Sequence, residues 1–421
     1  MKAGMLKIVN DLWLKRRDLV SDGFDESLAY ISRKIPLKIH RVPSGTKCWT
    51  WVVPKKWTVQ AAHIEDLSGR RLLDLEQHPL HVISYSEPVD KVVTKTELMK
   101  HLHTNTRRPK AIPFEFSYYE KKWGFCIQHN RLKEFNKNKY RVFIDSKFEK
   151  GKLKVGEITV KGRSRKVVVL VAHLCHPAMV NDDLSGVAVL LDIAQELQKR
   201  KNYYTYKFLL VPETIGSIAY LSRNEDIAAK IKYGIFLEML GNDNTHALQL
   251  TKPANTRIDR IARYVMQRVL KSFRQGAFLE VIGNDEKVFN APGVDIPMIS
   301  ISRYPYPEYH TSDDNPGIIS PRNLRESKNL ILRILNIIDR DYIPRRKFKG
   351  PLYLSGYGLW VDRKKDLQLN KSLRKIMLHL DQGASAFEIA NNLNIDFETV
   401  INFLEKLYQK ELIEKESADH E

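Results

Sequence analysis

Two histidines and a cysteine stand at the end of one apolar run. His173, Cys175 and His176 follow Val167–Val171, and the paired carboxylates Asp182 and Asp183 come next. Imidazole and carboxylate groups gathered in one loop are a zinc-type donor set. The run itself is continuous and β-branched, the pattern of a strand buried on both faces. Ser185–Gly186 then opens an apolar helical stretch. A strand that delivers such side chains at its C-terminal end, just before a helix, puts them where open α/β sheets place their sites.

Further chemistry sits at the ends of other strand-like runs. ETIGS (Glu213–Ser217) follows KFLLVP, LEMLG (Leu237–Gly241) follows GIF, and EYHTSDD (Glu308–Asp314) follows MISISRYPYP. Glu213 is the one carboxylate at its strand end. Glu238 lies on an apolar strand, where an unpaired carboxylate is costly, so a metal or cationic partner is expected. Asp183 is either the N-cap of the following helix or a direct ligand. Some residues keep two readings. His176, next to Pro177, is either a ligand or a backbone hydrogen-bonder, and Cys175 is either a small buried group or a thiolate ligand. Glu308 faces either a substrate α-amine or Arg303. Tyr118, Tyr119 and Trp123 either fill the core of a β module or hang over the pocket. Asp285–Glu286 are either solvated surface or pocket rim.

The elements that must position these groups follow from chain grammar. At 421 residues, with 43% hydrophobic and 28% charged residues, two or three globular domains are expected. Charges interrupt the N-terminal apolar positions at helical spacing, which predicts helices near Leu6–Val20 and Asp25–Ile35 in a segment 1–42, and no signal peptide. Residues 43–155 alternate and are punctuated by turns, the pattern of a β-rich module. From 156 to 350 strand-like and helix-like runs alternate, which predicts an α/β sheet covered by helices on both faces. The tail, 362–421, shows three apolar helix faces and then the strand-like ELIEKE, a winged-helix pattern. No apolar run reaches membrane-span length, and three cysteines form no disulfide framework, so a cytoplasmic, reducing setting is expected. The net charge of +19 raises the question of nucleic acid. The tail argues against it: residues 371–421 carry six basic and ten acidic side chains, which suits a packing or protein-interaction module.

Taken in order, these segments resemble the M28-type zinc aminopeptidases, whose elements run His-x-Asp, Asp-x-x-Ser-Gly, Glu-Glu-x-Gly, Asp-Met-x-Gly and His-Thr-x-x-Asp. The resemblance covers roughly 150–340. The whole chain is similar to bacterial aminopeptidase-like proteins associated with polysaccharide biosynthesis, through WVVPKKW (Trp51–Trp57), SYYEKKWGFC (Ser117–Cys126), HLCHP (His173–Pro177) and PETIGS (Pro212–Ser217). It implies a zinc-exopeptidase-like mixed sheet flanked by helices, with an inserted β-rich domain and a C-terminal winged helix. It implies that His173, Asp182, Glu238 and His310 are metal ligands, with Asp182 bridging and His310 oriented by Thr311 and Asp314. It implies that Glu213 is the general base for a metal-activated water. The expected activity is a zinc-dependent amide hydrolase of aminopeptidase type, acting on a peptide or small amide. Glu308, Arg303, Tyr118 and Tyr119 are candidates for substrate binding.

Three departures stand out. Thr214 occupies the place of a second Glu ligand, Cys175 that of the Asp that steadies the histidine, and Glu238 that of an Asp. One zinc ion is therefore expected, and two if His176 or Cys175 rebuilds the second site. Two other readings stay open: an amidase or deacylase acting on a small N-acyl or amino-sugar compound, and a catalytically weak binding or regulatory protein. No membrane or nucleic-acid partner is expected; a homo-oligomer is left open.

Overall fold

The computed structural model describes residues 4–380 and 383–418. They form two compact units, Met1–Asp259 with Leu270–Asn329, and Arg260–Val269 with Leu330–Glu421.

The larger unit is built on an eight-stranded mixed sheet. Its order is Lys38–Pro43, Lys152–Val160, Thr205–Val211, Val167–His173, Ile231–Leu237, Met298–Ser302, Ala247–Gln249 and Arg274–Gly276. Thr205–Val211, Val167–His173, Ile231–Leu237 and Met298–Ser302 run parallel to one another. All seven residues of Val167–His173 are buried, as its unbroken apolar run requires. Each valine or leucine so buried contributes about 1.5–3 kcal/mol. The strand that ends in His173 is thus among the most firmly held parts of the unit. The helices Gly186–Leu197 and Ile215–Ser222 start just beyond the ends of two of these strands.

Lys38–Pro43 pairs antiparallel with Lys152–Val160, and Pro43 faces Lys152. The boundary expected between 155 and 156 therefore falls inside a strand of the main sheet. The cause is that the β-rich stretch is an excursion between two paired strands, whose alternation matches its own. Within it, Arg71–Asp74, Lys56–Asp66, Lys139–Glu149 and Val89–Thr94 make a four-stranded antiparallel sheet. A later stretch bridges back, with Pro113 opposite Thr311.

The N-terminal segment forms two helices as expected, but the first ends at Leu12 and not near Val20. It forms Met5–Leu12 and then Asp22–Ser32, with the Ser21 side chain accepting from the Phe24 N–H as a cap. The break serves Arg17, which is fully buried.

In the smaller unit the tail folds as Leu367–Leu378, Ala386–Leu393 and Phe397–Gln409. Ser385 and Glu388 make a capping box at the second of these helices. The last strand, Ile413–Ser417, pairs antiparallel with Tyr342–Arg346. Its partner thus lies upstream of the expected 362–421 boundary, because an isolated strand has no ladder of its own and takes the free edge available. Among the described residues, no helix is long and apolar enough to cross a membrane.

Candidate active site

The parallel register lines up the strand ends. His173 lies opposite Val211, so Glu213 emerges two residues beyond it, and Glu238 follows directly after the Ile231–Leu237 strand. The loop after Met298–Ser302 brings His310 to the same end. This is a consequence of backbone pairing alone: parallel strands in register deliver their loops to one side.

Asp182 is the centre of the cluster. One carboxylate oxygen, Oδ1, lies 2.9 Å from His173 Nε2, and the other, Oδ2, lies 3.1 Å from His310 Nε2. His173 Nε2 and Asp182 Oδ1 are buried and face each other, and neither hydrogen-bonds any other group among the described residues. Two buried polar atoms with no other partner at one point fit a cation. Burial alone lowers the His173 pKa, but the adjoining Asp182 carboxylate outweighs it and holds the imidazole well above its ordinary value.

His176 joins this group. Its Nδ1 hydrogen-bonds the Cys175 carbonyl at 2.6 Å, and its Nε2 lies 3.6 Å from Glu213 Oε2. Burial pushes its pKa down to about 3, so the ring is neutral. Among the described residues, two groups have ligand atoms all within 4.8 Å of one another: His176, Asp182 and His310, and His173, Cys175 and His176.

Glu238 belongs to neither group. Its carboxyl is fully buried and receives hydrogen bonds from Asn284 Nδ2 and, at 3.0 Å, from Ser300 Oγ. Burial raises the pKa of both Glu238 and Glu286, and the nearby Glu286 charge adds to this for Glu238. The costly unpaired carboxylate inferred from the apolar strand thus finds neutral hydrogen-bond donors.

Cys175 Sγ receives the Glu213 N–H at 3.1 Å and lies 4.0 Å from His173 Nδ1. It therefore steadies the backbone of Glu213 as well as neighbouring the histidine. Thr214, at φ +61°, donates its N–H to Asp285 Oδ1 at 3.1 Å. Asp285 and Glu286 are both fully buried, which excludes the surface and pocket-rim readings of that pair. Asp183 Oδ1 accepts from the N–H of Gly186 and of Met239, both at 3.0 Å, so it ties the start of the helix to the next strand end.

The expected substrate residues divide. Tyr118 and Tyr119 line a cavity of about 370 Å³ together with Trp51, Phe116, Glu213 and Thr214. The Tyr118 hydroxyl is buried and unpartnered there. Arg303 stays outside: it donates to Glu326 at 2.9 Å and to the Asn244 carbonyl at 2.6 Å. Glu308 pairs with Arg108 at 3.7 Å, and the alternative pairing with Arg303 does not form. Asp314 does not act on His310 as expected. It accepts the backbone N–H groups of Val180, Asn181 and Asp182, and so holds the loop that carries Asp182.

Sequence reasoning missed Arg17. Its guanidinium donates to the carbonyls of Leu174, His176 and Met179 at 2.9, 2.6 and 3.0 Å. His176 sits at φ +105°, a region non-glycine residues rarely adopt, and Arg17 helps hold it there. The available signal was position: Arg17 lies four residues after Trp13 and three before Val20, on the apolar face of the segment. Phe114 was missed as well. Its ring packs at 5.0 Å from His176 and 5.3 Å from His310, and its N–H donates to the His310 carbonyl at 2.8 Å.

Comparison with known proteins agrees with this architecture. The family model described as a domain of unknown function (DUF4910) matches residues 6–341. A Clostridium acetobutylicum protein named for polysaccharide biosynthesis and an aminopeptidase-like domain is 34% identical over 412 residues, covering 96% of this chain and 95% of that one. A crystal structure from the same organism, described as a peptidase, superposes with a TM-score of 0.90 at 32% identity, covering 98% and 96% of the two chains. A zinc aminopeptidase from Bacillus subtilis shares the fold, with a TM-score of 0.60 at 14% identity over 80% of this chain and 94% of its own.

Proposed function

This chain belongs to the DUF4910 family and has the fold of the M28 zinc aminopeptidases, and from that premise we propose that it is a zinc-dependent amide hydrolase of aminopeptidase type. The observation that carries the reading is the Asp182 carboxylate, whose two oxygens each face one histidine beside Glu213.

His173 and Asp182 would hold the metal, with Glu238 as the remaining candidate once its bonds to Asn284 and Ser300 rearrange, while His310 stands on the other oxygen of Asp182. When bound, zinc would supply Lewis acidity, polarising an amide carbonyl and acidifying a water. Glu213 accepts the proton of the attacking water and returns it to the leaving nitrogen. Its backbone is fixed by Cys175 Sγ and its side chain opens into the aromatic cavity, so proton transfer and substrate share one space. Trp51, Phe116, Tyr118 and Tyr119 give that space apolar walls suited to a residue-sized group next to the scissile bond.

A second reading, hydrolysis of a small N-acyl compound, is favoured by one observation. The acids that would hold a free α-amine are poorly placed for it: Glu308 lies 3.7 Å from Arg108, whose hydrogen bonds go to Asp313, and the Asp285–Glu286 pair is buried in the interior. The name of the Clostridium relative puts amino-sugar amides among the substrates to try.

The test is Glu213→Gln, assayed on aminoacyl and N-acyl substrate panels. The expected result is a fall in kcat of roughly 10²–10⁴-fold with zinc content and folding unchanged. Undiminished turnover in the variant would rule Glu213 out as the base, and the panel that is turned over distinguishes the two substrate classes.

A further inference from the structure

The second histidine of HLCHP has a place in the site that the resemblance does not give it. We infer that His176 Nε2 is a metal ligand and that, with Asp182 Oδ2 and His310 Nε2, it builds a second cation position in place of the carboxylate missing at Thr214. This rests on the hydrolase reading and deepens it.

Three observations carry it. First, the lone pair is available. A carbonyl only accepts, so the 2.6 Å contact to the Cys175 oxygen places the His176 proton on Nδ1 and leaves Nε2 bare. A ligating imidazole that donates its other nitrogen to a backbone carbonyl is the usual support of a metal-bound histidine. Second, the donors converge. The ligand atoms of His176, Asp182 and His310 lie within 4.8 Å of one another. Neighbouring ligand atoms around tetrahedral zinc, at bonds of about 2.0–2.2 Å, stand about 3.3 Å apart, so a small contraction closes the site. Third, the position is distinct from that at His173. Asp182 presents Oδ1 to His173 and Oδ2 to His310, so one carboxylate serves two cations from opposite oxygens.

The backbone supports the assignment. His176 is held at φ +105° with its carbonyl on Arg17 and its ring against Phe114, so its side chain is aimed before any ion arrives. Cys175 is the weaker candidate, because its sulfur already receives the Glu213 N–H.

Zinc per chain, measured by plasma mass spectrometry on full-length protein equilibrated with Zn²⁺ and then dialysed, tests this. About two ions are expected in the wild type, about one in His176→Ala and about one in His173→Ala. His176→Asn, whose amide N–H takes the place of Nδ1 and still donates to the Cys175 carbonyl while nothing replaces Nε2, stands in for the alanine variant if circular dichroism shows that the latter does not fold. About one ion in both wild type and His176 variant, or two in both, would overturn the inference and leave the hydrolase reading standing. No zinc in the wild type would overturn both.

Discussion

Arg17 makes the loop of His173–Met179 a fixed object. Its guanidinium satisfies three buried carbonyls of that loop, and burial pulls its pKa down to about 10, still well above neutrality. In Arg17→Met those carbonyls lose their donor, at about 1–3 kcal/mol for each group left unsatisfied. We expect urea unfolding to show a loss of at least about 3 kcal/mol, with weaker zinc binding because His176 is released. Arg17→Lys should fall between the two, since a compact ammonium cannot span three acceptors as a planar fork does. A Met variant as stable as the wild type would show that the loop holds itself.

The same residue marks a limit of sequence reading. Charges in RRD read as solvated because most charged residues are, and only the folded loop supplies the carbonyls that make burial tolerable. The place of His173 was legible for the opposite reason: a strand buried on both faces has no polar alternation, so a polar residue at its end stands out. Glu238 was half legible. Its burial followed from the apolar run, but the identity of its partners, Asn284 and Ser300, depends on strands distant in sequence.

At the level of elements, Glu157 fastens the edge of the main sheet. From the Lys152–Val160 strand it accepts hydrogen bonds from His40 at 2.9 Å, Thr159 at 2.7 Å, Tyr220 at 2.8 Å and Lys207. Two neighbouring strands and one helix thus meet on one carboxylate. Burial alone would raise its pKa, but these donors outweigh it and hold it far below the usual carboxylate range. A depressed folded-state pKa means that the stabilisation is full above about pH 5 and is lost as pH falls through the lower folded value. Glu157→Gln should therefore cost about 3 kcal/mol at pH 7, as for breaking a buried ion pair from one side. The gap to wild type should narrow from about pH 5 downward. A gap that stays constant with pH in chemical unfolding would refute the charge-based account.

The tail shows what element reading leaves out. Its three helices were visible from their apolar faces, whereas the strand Ile413–Ser417 was visible without its partner. Pairing with Tyr342–Arg346 joins residues far apart in sequence, which no local pattern records.

For the whole molecule, zinc bound as proposed would be linked to folding. The donors of the site come from widely separated parts of the chain, so unfolding disperses them and binding favours the native state by mass action. At a free zinc concentration 100 times the dissociation constant, one site adds about 2.7 kcal/mol. Calorimetry should show the transition of the larger unit rising by a few degrees with zinc and falling with a chelator. An unchanged transition under both conditions would show that no zinc is held at this site.

The pairing of Pro43 with Lys152 has a consequence for how such a protein can diversify. At this neck the Ser44 N–H donates to the Gly151 carbonyl at 2.9 Å, and the Gly151 N–H to Ser44 Oγ at 3.0 Å. The chain leaves the main sheet and re-enters it at adjacent points. Closing a loop costs only about 0.6 kcal/mol more for each doubling of its length, so the sheet is nearly indifferent to how long the excursion is. Yet residues 44–151 include Trp51, Phe114, Phe116, Tyr118 and Tyr119, the walls around Glu213 and the histidines. Under the proposed function, substrate preference would therefore be inherited, exchanged or grafted as one uninterrupted cassette of sequence, while Glu213 and the histidines remain where the parallel strands put them.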